Sequence, residues 1–143
     1  MAARDKPLRL LAQDPCDLEV ISATLQDAVA KIGDIRYEAH ARQLTIALNR
    51  FRWEAGERTA ERVRSAFQLG GVLSVKARKL RRDAKGAVVE LLAVTFEAGD
   101  APGGVVVLKF AGDGDLRCEV ECIDAALADI SQPWPTRRAP AHG

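Results

Sequence analysis

Residues 87–120 read AVVELLAVTFEAGDAPGGVVVLKFAGDGDLRCEV, and this segment decides the fold class because its pattern is strongly that of β-strands. Apolar residues alternate with polar ones or form short valine-rich runs, which is typical of strands with a buried face. Glycine-rich stretches at 99–104 and 112–114 interrupt the pattern, and the second has the chemistry of a tight hairpin turn. The segment therefore predicts three consecutive strands, the last with an inward side made of Leu116, Cys118 and Val120.

The same period of two continues upstream of this segment. Alternating apolar residues predict a hairpin over residues 35–49 and two strands on either side of Gly70-Gly71, which marks a bend or bulge. A short edge strand is predicted over residues 8–12. The chain therefore contains seven or eight short strands, mostly antiparallel.

Two helices are predicted, one before and one after most of the strands. The first covers residues 15–32, with Asp14 as its cap and Pro15 at the first helical position. The second follows from an apolar stripe at positions i, i+3, i+4 and i+7, formed by Ile123, Ala126, Leu127 and Ile130.

These elements predict an α+β fold, in which an N-terminal helix and a C-terminal helix cover a mostly antiparallel sheet. Seven strands followed by one helix is also the element order of pleckstrin-homology-like barrels, so a small barrel is the alternative. At 143 residues the chain fits one domain, expected over residues 1–132. The Pro-rich residues 133–143 are expected to form a flexible tail.

Composition excludes several classes of protein. With 48% hydrophobic and 29% charged residues, the chain has the composition of a globular protein that folds by itself. Its apolar runs are too short to span a bilayer and its first residues do not resemble a secretory signal, so we expect a cytoplasmic protein without a membrane partner. The only cysteines are Cys16, Cys118 and Cys122, without CxxC spacing, so neither a metal site nor a cofactor is predicted.

Charge is unevenly distributed, although the net charge is only +1. Residues 50–85 contain 11 basic and four acidic side chains, a local net charge of +7. Because residues two apart on a strand share a face, one basic sheet face for anionic partners is predicted. It consists of Arg50, Arg52, Arg62, Arg64, Lys76 and Arg78, and the turn at Arg81 and Arg82 extends it. The alternative is an ordinary solvated face whose cations meet nearby glutamates.

Residues 49–54, NRFRWE, place two aromatic rings beside two of these arginines. In a regular strand Phe51 and Trp53 point away from Arg50 and Arg52, so the rings are predicted to face the core. Proteins that bind single-stranded nucleic acids need exposed aromatic rings beside a row of basic side chains. RNA binding is therefore the second hypothesis and not the first.

Three separated segments resemble one known family in the same order. They are residues 10–35, LLAQDPCDLEVISATLQDAVAKIGDI, residues 48–54, LNRFRWE, and residues 91–131, LLAVTFEAGDAPGGVVVLKFAGDGDLRCEVECIDAALADIS. Over nearly its whole length the chain resembles a bacterial family catalogued as domain of unknown function 2948. The resemblance implies a small cytosolic protein and provides no activity, cofactor or catalytic residue.

The leading functional hypothesis is a non-catalytic binding or regulatory module. Its basic face would contact an acidic protein, or the acidic C-terminal half of a second copy in a homodimer. Binding of RNA or another nucleic acid through the same arginines is the alternative. The third hypothesis is an enzyme in which Cys16, at the start of a helix, meets His40, although no motif supplies a third, orienting residue.

Overall fold

The computed structural model describes residues 6–56 and 58–136, which form one antiparallel sheet of 11 strands. The strands are β1 (Arg9–Ala12), β2 (Ala28–Lys31), β3 (Ile35–Glu38), β4 (Gln43–Phe51), β5 (Glu61–Leu69), β6 (Val72–Arg78), β7 (Val88–Ala98), β8 (Gly104–Phe110), β9 (Asp115–Val120), β10 (Ala125–Asp129) and β11 (Trp134–Pro135). One α-helix, α1 (Pro15–Thr24), and two 3₁₀ turns, Ile32–Asp34 and Trp53–Ala55, complete the secondary structure of the described residues.

The strand order is β1-β10-β5-β4-β2-β7-β8-β9-β6, while β3 pairs with β4 and β11 pairs with β5. β2 joins two halves of the sheet, because it pairs with β4 through Val29 and Asn49 and with β7 along its whole length. The first half consists of β1, β10, β5, β4 and β3, and the second half of β7, β8, β9 and β6. β3 continues along β4 on the side that β2 occupies, after the 3₁₀ turn at Ile32–Asp34.

Both halves direct their inner faces into one hydrophobic core. In the first half, Ile46, Phe67 and Leu127 are direct neighbours on β4, β5 and β10, and all three are buried. In the second half, Val106 on β8 is the neighbour of Cys118 on β9, and both have no exposed surface. Because strands from the two halves share this core, the sheet must curl around it. Helix α1 packs against β7 and β1 and adds Leu18, Ile21 and Leu25 to the core.

The start of α1 confirms the predicted cap, but its end does not lie where the apolar spacing placed it. The Asp17 amide donates to Oδ1 of Asp14 at 2.8 Å, and Pro15 occupies the first turn. The helix ends at Thr24, and Asp27 adopts a positive φ of 64° that turns the chain. Residues 28–31 then pair with β7 as β2, so the helix predicted up to residue 32 is too long.

The predicted C-terminal helix is wrong, and with it the α+β fold class. Its stripe of Ile123, Ala126, Leu127 and Ile130 falls on and around β10, which lies between β1 and β5 in the sheet. Alternation decides the structure here, because Ala125 and Leu127 are buried on the inner face while Ala126 lies on the outer one. The fold is a mostly antiparallel sheet of 11 strands, more than the seven or eight predicted, with one short helix in the described part.

The pleckstrin-homology-like barrel is also wrong, because the sheet is not closed. β1 and β6 lie at the two ends of the strand order, and each pairs with a neighbouring strand on one side only. β3 likewise pairs only with β4, so its other edge remains free. We call the gap between the free edges of β3 and β6 the seam.

The last described residues lie against the sheet. Trp134 pairs with Arg62 and Pro135 pairs with Glu61, which adds β11 to the edge of β5. Residues 137–143 lie outside the described residues, so the flexible tail stays a prediction there.

Candidate functional site

Arg50, the first residue of the predicted basic face, points into the protein. It follows Leu44, Ile46 and Leu48 on the inner face of β4, and its exposed fraction is 0%. A guanidinium buried to this degree needs charged partners, because an unpaired charge in the core costs several kcal/mol, on the order of the stability of a small protein.

Two carboxylates, those of Glu54 and Asp129, accept hydrogen bonds from the Arg50 guanidinium, and the Ser65 hydroxyl donates to Asp129. Arg50 donates to Asp129 twice, Nε to Oδ1 and Nη2 to Oδ2, each at 3.0 Å. It donates to Glu54 through Nη1 at 2.9 Å and Nη2 at 2.7 Å. Asp129 also accepts from Ser65 Oγ at 2.7 Å and from the Leu8 amide at 3.0 Å. We call Arg50, Glu54, Ser65 and Asp129 the core ion cluster; it joins β4, β5, β10 and the chain before β1.

The cluster keeps both of its carboxylates ionised. Burial alone would raise the pKa of Asp129, but the hydrogen bonds from Arg50, Ser65 and the Leu8 amide outweigh burial and bring this pKa below its ordinary value. The hydrogen bond from Arg50 likewise lowers the pKa of Glu54. Each carboxylate therefore stabilises the folded chain most at pH values at which it is fully ionised.

Stability is expected to fall in acid because of these two groups. A carboxylate with a lowered folded-state pKa contributes its full stabilisation above its unfolded pKa, near about 4, and loses it as the pH falls through the folded value. Urea unfolding at a series of pH values should thus show a decline that begins below about pH 5. Glu54→Gln should make this decline shallower, and an unchanged slope in that variant would contradict the assignment.

Arg52, Arg62 and Arg64 are also occupied within the protein. Arg52 is 5% exposed and forms an ion pair with Glu61. Nη1 of Arg62 donates to the carbonyl of Asn49 at 3.1 Å. Arg64 donates to the Asn49 side chain and to Asp34 Oδ2, each at 3.2 Å.

Lys76 and Arg78 lie in the other half of the sheet, on β6. Nη2 of Arg78 donates to Asp115 Oδ2 at 2.7 Å, so its charge is matched on the neighbouring strand β9. Lys76 is exposed and forms no ion pair with a described residue. The structure thus does not bring the six predicted cations onto one exposed face: Arg50 and Arg52 are buried, Arg62 and Arg64 belong to β5, and Lys76 and Arg78 belong to β6, which does not pair with β5.

The aromatic rings of NRFRWE pack against each other beside this region. Phe51 is 0% exposed, and its ring lies 4.6 Å from that of Trp53, measured between centroids, at an interplanar angle of 60°. The Trp53 indole nitrogen donates to the Gln26 carbonyl at 3.3 Å. Phe51 is buried on the strand side opposite Arg50, so both sides of β4 are covered at this end.

The thiols and the imidazole are distributed over different parts of the fold. Cys16 is exposed and lines a cleft with Trp53 and Glu54, after the end of β4, whereas His40 lies in the turn before β4. The nine residues of β4 separate these places by roughly 27 Å. Burial raises the pKa of the Cys118 thiol to about 12, so this thiol is unreactive at neutral pH. All three cysteines are free.

Four of the exposed cations that form no ion pair with a described residue belong to β6 and to the connection that follows it. Arg81, Arg82 and Lys85 in the β6–β7 connection are exposed, and like Lys76 they form no ion pair with a described residue. Arg82 and Lys85 line one cavity. We call Lys76, Arg81, Arg82 and Lys85 the open basic group. The charge-dense turn at 81–86 was the signal for three of its members in the sequence.

The described residues contain neither a group of metal ligands nor a membrane-spanning helix. Within residues 6–56 and 58–136, no three His, Cys, Asp or Glu side chains are grouped so that they could hold a metal ion. None of the helices in this part of the chain has the length and apolar character needed to cross a membrane.

Comparison with known proteins identifies a family without an assigned activity. The model of one protein family, described as a protein of unknown function (DUF2948), matches residues 8–142. Neither the curated proteins nor the solved structures contain a match. Because the match extends over nearly the whole sequence, the chain belongs to this DUF2948 family.

Proposed function

We propose that this chain is a non-catalytic binding module that contacts an acidic protein partner through the open basic group. One observation supports the proposal above the others: Arg81, Arg82 and Lys85 lie within five residues of one connection, exposed and without an internal carboxylate partner, and the exposed Lys76 lies on the strand before it. By contrast, Arg50, Arg52, Arg64 and Arg78 each have a carboxylate partner. Cations that are not matched internally are available to match the charges of a partner.

The proposed contact surface therefore differs from the basic face that the sequence predicts. Lys76, Arg81 and Arg82 remain candidates for partner contact, and Lys85 joins them. Arg50 and Arg52 belong instead to buried ion pairs, so their replacement would test folding and not binding.

An acidic protein is preferred to RNA because of the surroundings of these cations. Single-stranded nucleic acids bind where exposed aromatic rings accompany the basic track. The large exposed aromatic residue of the described part, Trp134, lies on β11, which pairs with β5 and not with β6. A second copy of the chain, through its acidic C-terminal half, is the other protein partner that this charge pattern fits.

We expect the double variant Arg81→Glu, Arg82→Glu to lose binding of an acidic peptide. Fluorescence anisotropy with a labelled oligoglutamate peptide and with an oligouridine RNA of equal length would measure both affinities. The matched control, Lys6→Glu with Arg9→Glu, has the same change of charge near β1, at the other end of the strand order. The control should keep wild-type affinity.

Equal loss in both double variants would show a general charge effect and refute a defined surface. RNA binding that exceeds peptide binding, and falls steeply with salt, would replace the acidic protein by a nucleic acid. Sedimentation of wild type and variants would show whether a second copy is the partner.

A further inference from the structure

The seam contains a partly open cavity between two free strand edges. At one end the Tyr37 hydroxyl donates to the Val72 carbonyl at 3.0 Å and the Val72 amide donates to the Arg42 carbonyl at 2.8 Å. At the other end the amides of Ile32 and Gly33 each donate, at 2.9 Å, to carbonyls of the β6–β7 connection. Because β3 and β6 are held at both ends without pairing in between, a cavity remains where barrel closure would have filled the space.

The seam cavity is lined mainly by aliphatic side chains and is basic at its mouth. Its volume is about 240 Å³. Seven aliphatic side chains line it: Ile32, Ile35, Leu44, Val75, Ala77, Leu80 and Leu116. Leu44 and Leu116 are buried, so they form its inner wall. Arg82 and Lys85 also line the cavity but are exposed, as expected of long side chains whose stems cover apolar surface while their charges stay in water.

The volume restricts the size of the occupant. A water molecule takes about 30 Å³ in the liquid, so 240 Å³ corresponds to roughly eight non-hydrogen atoms. An apolar cavity of about 150 Å³ already accommodates benzene. The space lies below the about 300–1,000 Å³ of sites for drug-sized ligands, so a small molecule fits and a long acyl chain does not.

We propose that the seam cavity binds a small organic carboxylate of about eight non-hydrogen atoms, such as a short-chain fatty acid. The apolar part of the ligand packs between Val75, Ala77 and Leu80. Its carboxylate remains at the mouth, where Arg82 and Lys85 supply charge-assisted hydrogen bonds. This site goes beyond the proposed partner surface, because its occupant enters the fold, although Arg82 and Lys85 belong to both.

Titration of the full chain with hexanoate tests the proposal. We expect saturable chemical-shift changes in the methyl groups of Val75 and Leu80 at millimolar hexanoate, and weaker binding of butanoate, which fills less of the cavity. The neutral probe hexanol reports on the apolar part alone. In the double variant Arg82→Gln, Lys85→Gln, hexanoate affinity should fall by about tenfold while hexanol affinity stays the same.

Two variants of the cavity wall provide the matched comparison. Ala77→Phe fills the cavity and should abolish binding of both probes. Leu80→Ala enlarges the cavity and should shift the preference from hexanoate towards octanoate, which keeps the test decisive if the first variant folds poorly. The proposal is overturned if no probe saturates, or if Ala77→Phe folds and binds hexanoate as tightly as wild type.

The same variants separate this proposal from the partner surface. Ala77→Phe leaves every surface charge in place, so oligoglutamate binding should persist when hexanoate binding is lost. Arg81→Glu lies outside the cavity lining and should affect the peptide but not hexanol. The two measurements would therefore show separately whether the cavity proposal or the partner-surface proposal fails.

Discussion

Replacing Asp129 by alanine is expected to lower the free energy of unfolding by about 3–5 kcal/mol, because the buried Arg50 would keep only the partly exposed Glu54 as a charged partner, and Ser65 and the Leu8 amide would lose their acceptor. Arg50 is 0% exposed and Asp129 accepts four hydrogen bonds, two from the guanidinium, one from Ser65 and one from the Leu8 amide. Denaturant unfolding followed by circular dichroism would measure the loss. The slope m should stay unchanged, since the fold is the same.

The Asp34→Ala variant is the matched control for this experiment. It breaks the ion pair of Asp34 with Arg64, whose side chains are 32% and 38% exposed, so we expect a cost of at most about 1 kcal/mol. A double variant, Arg50→Met with Asp129→Leu, removes both charges and should recover much of the stability lost in Asp129→Ala. Equal costs for Asp129→Ala and Asp34→Ala would show that the core ion cluster does not stabilise the fold.

Phe67→Ala is expected to cost about 3–5 kcal/mol, the range for removal of a fully buried aromatic side chain. Phe67 is 0% exposed and lies between Ile46 of β4 and Leu127 of β10 on the inner face. Its removal would leave a cavity at the centre of three strands that cannot move closer without breaking their ladders. Thermal and denaturant unfolding should show the loss as one cooperative transition.

The neighbouring Gln68→Ala variant is the control for introducing alanine into β5. Gln68 is exposed on the outer face of the same strand, so its replacement should stay within about 0.5 kcal/mol of wild type. If Phe67→Ala cost no more than Gln68→Ala, the face that β5 directs into the core would have been assigned wrongly.

Most strands of the fold, but not β2, β10 and β11, could be predicted from the sequence, because alternation depends only on local residues. The hairpin over residues 35–49 and the strands near residues 63–69, 72–79 and 88–120 all have counterparts in the structure. Near β10 two patterns competed. The helical stripe ending at Ile130 and the alternation of Ile123, Ala125 and Leu127 were both present, and pairing with β1 and β5 decided between them. Those partners are remote in sequence, so local spacing could not choose.

Placement of the charged side chains could be predicted only in part. Alternation itself puts Arg50 on the face of Leu44, Ile46 and Leu48, and this parity was the signal for a buried arginine. Because arginines are usually exposed, Arg50 was nevertheless predicted to lie on the surface. Its partner Asp129 is 79 residues away, so no local pattern could reveal the compensating charge.

The pairing of β1 with β10 determines when the protein can finish folding during its synthesis. The Leu8 amide and the Asp129 carboxylate that accepts its hydrogen bond are 121 residues apart. At about 5–20 residues per second, a ribosome needs roughly 6–24 s to pass from one to the other. During that interval β1 and the edge of β5 that pairs with β10 have no neighbouring strand, and Arg50 lacks Asp129. A nascent chain of this protein thus depends on its last strands to cover its first one, and a chaperone that shields apolar strands would act in this interval.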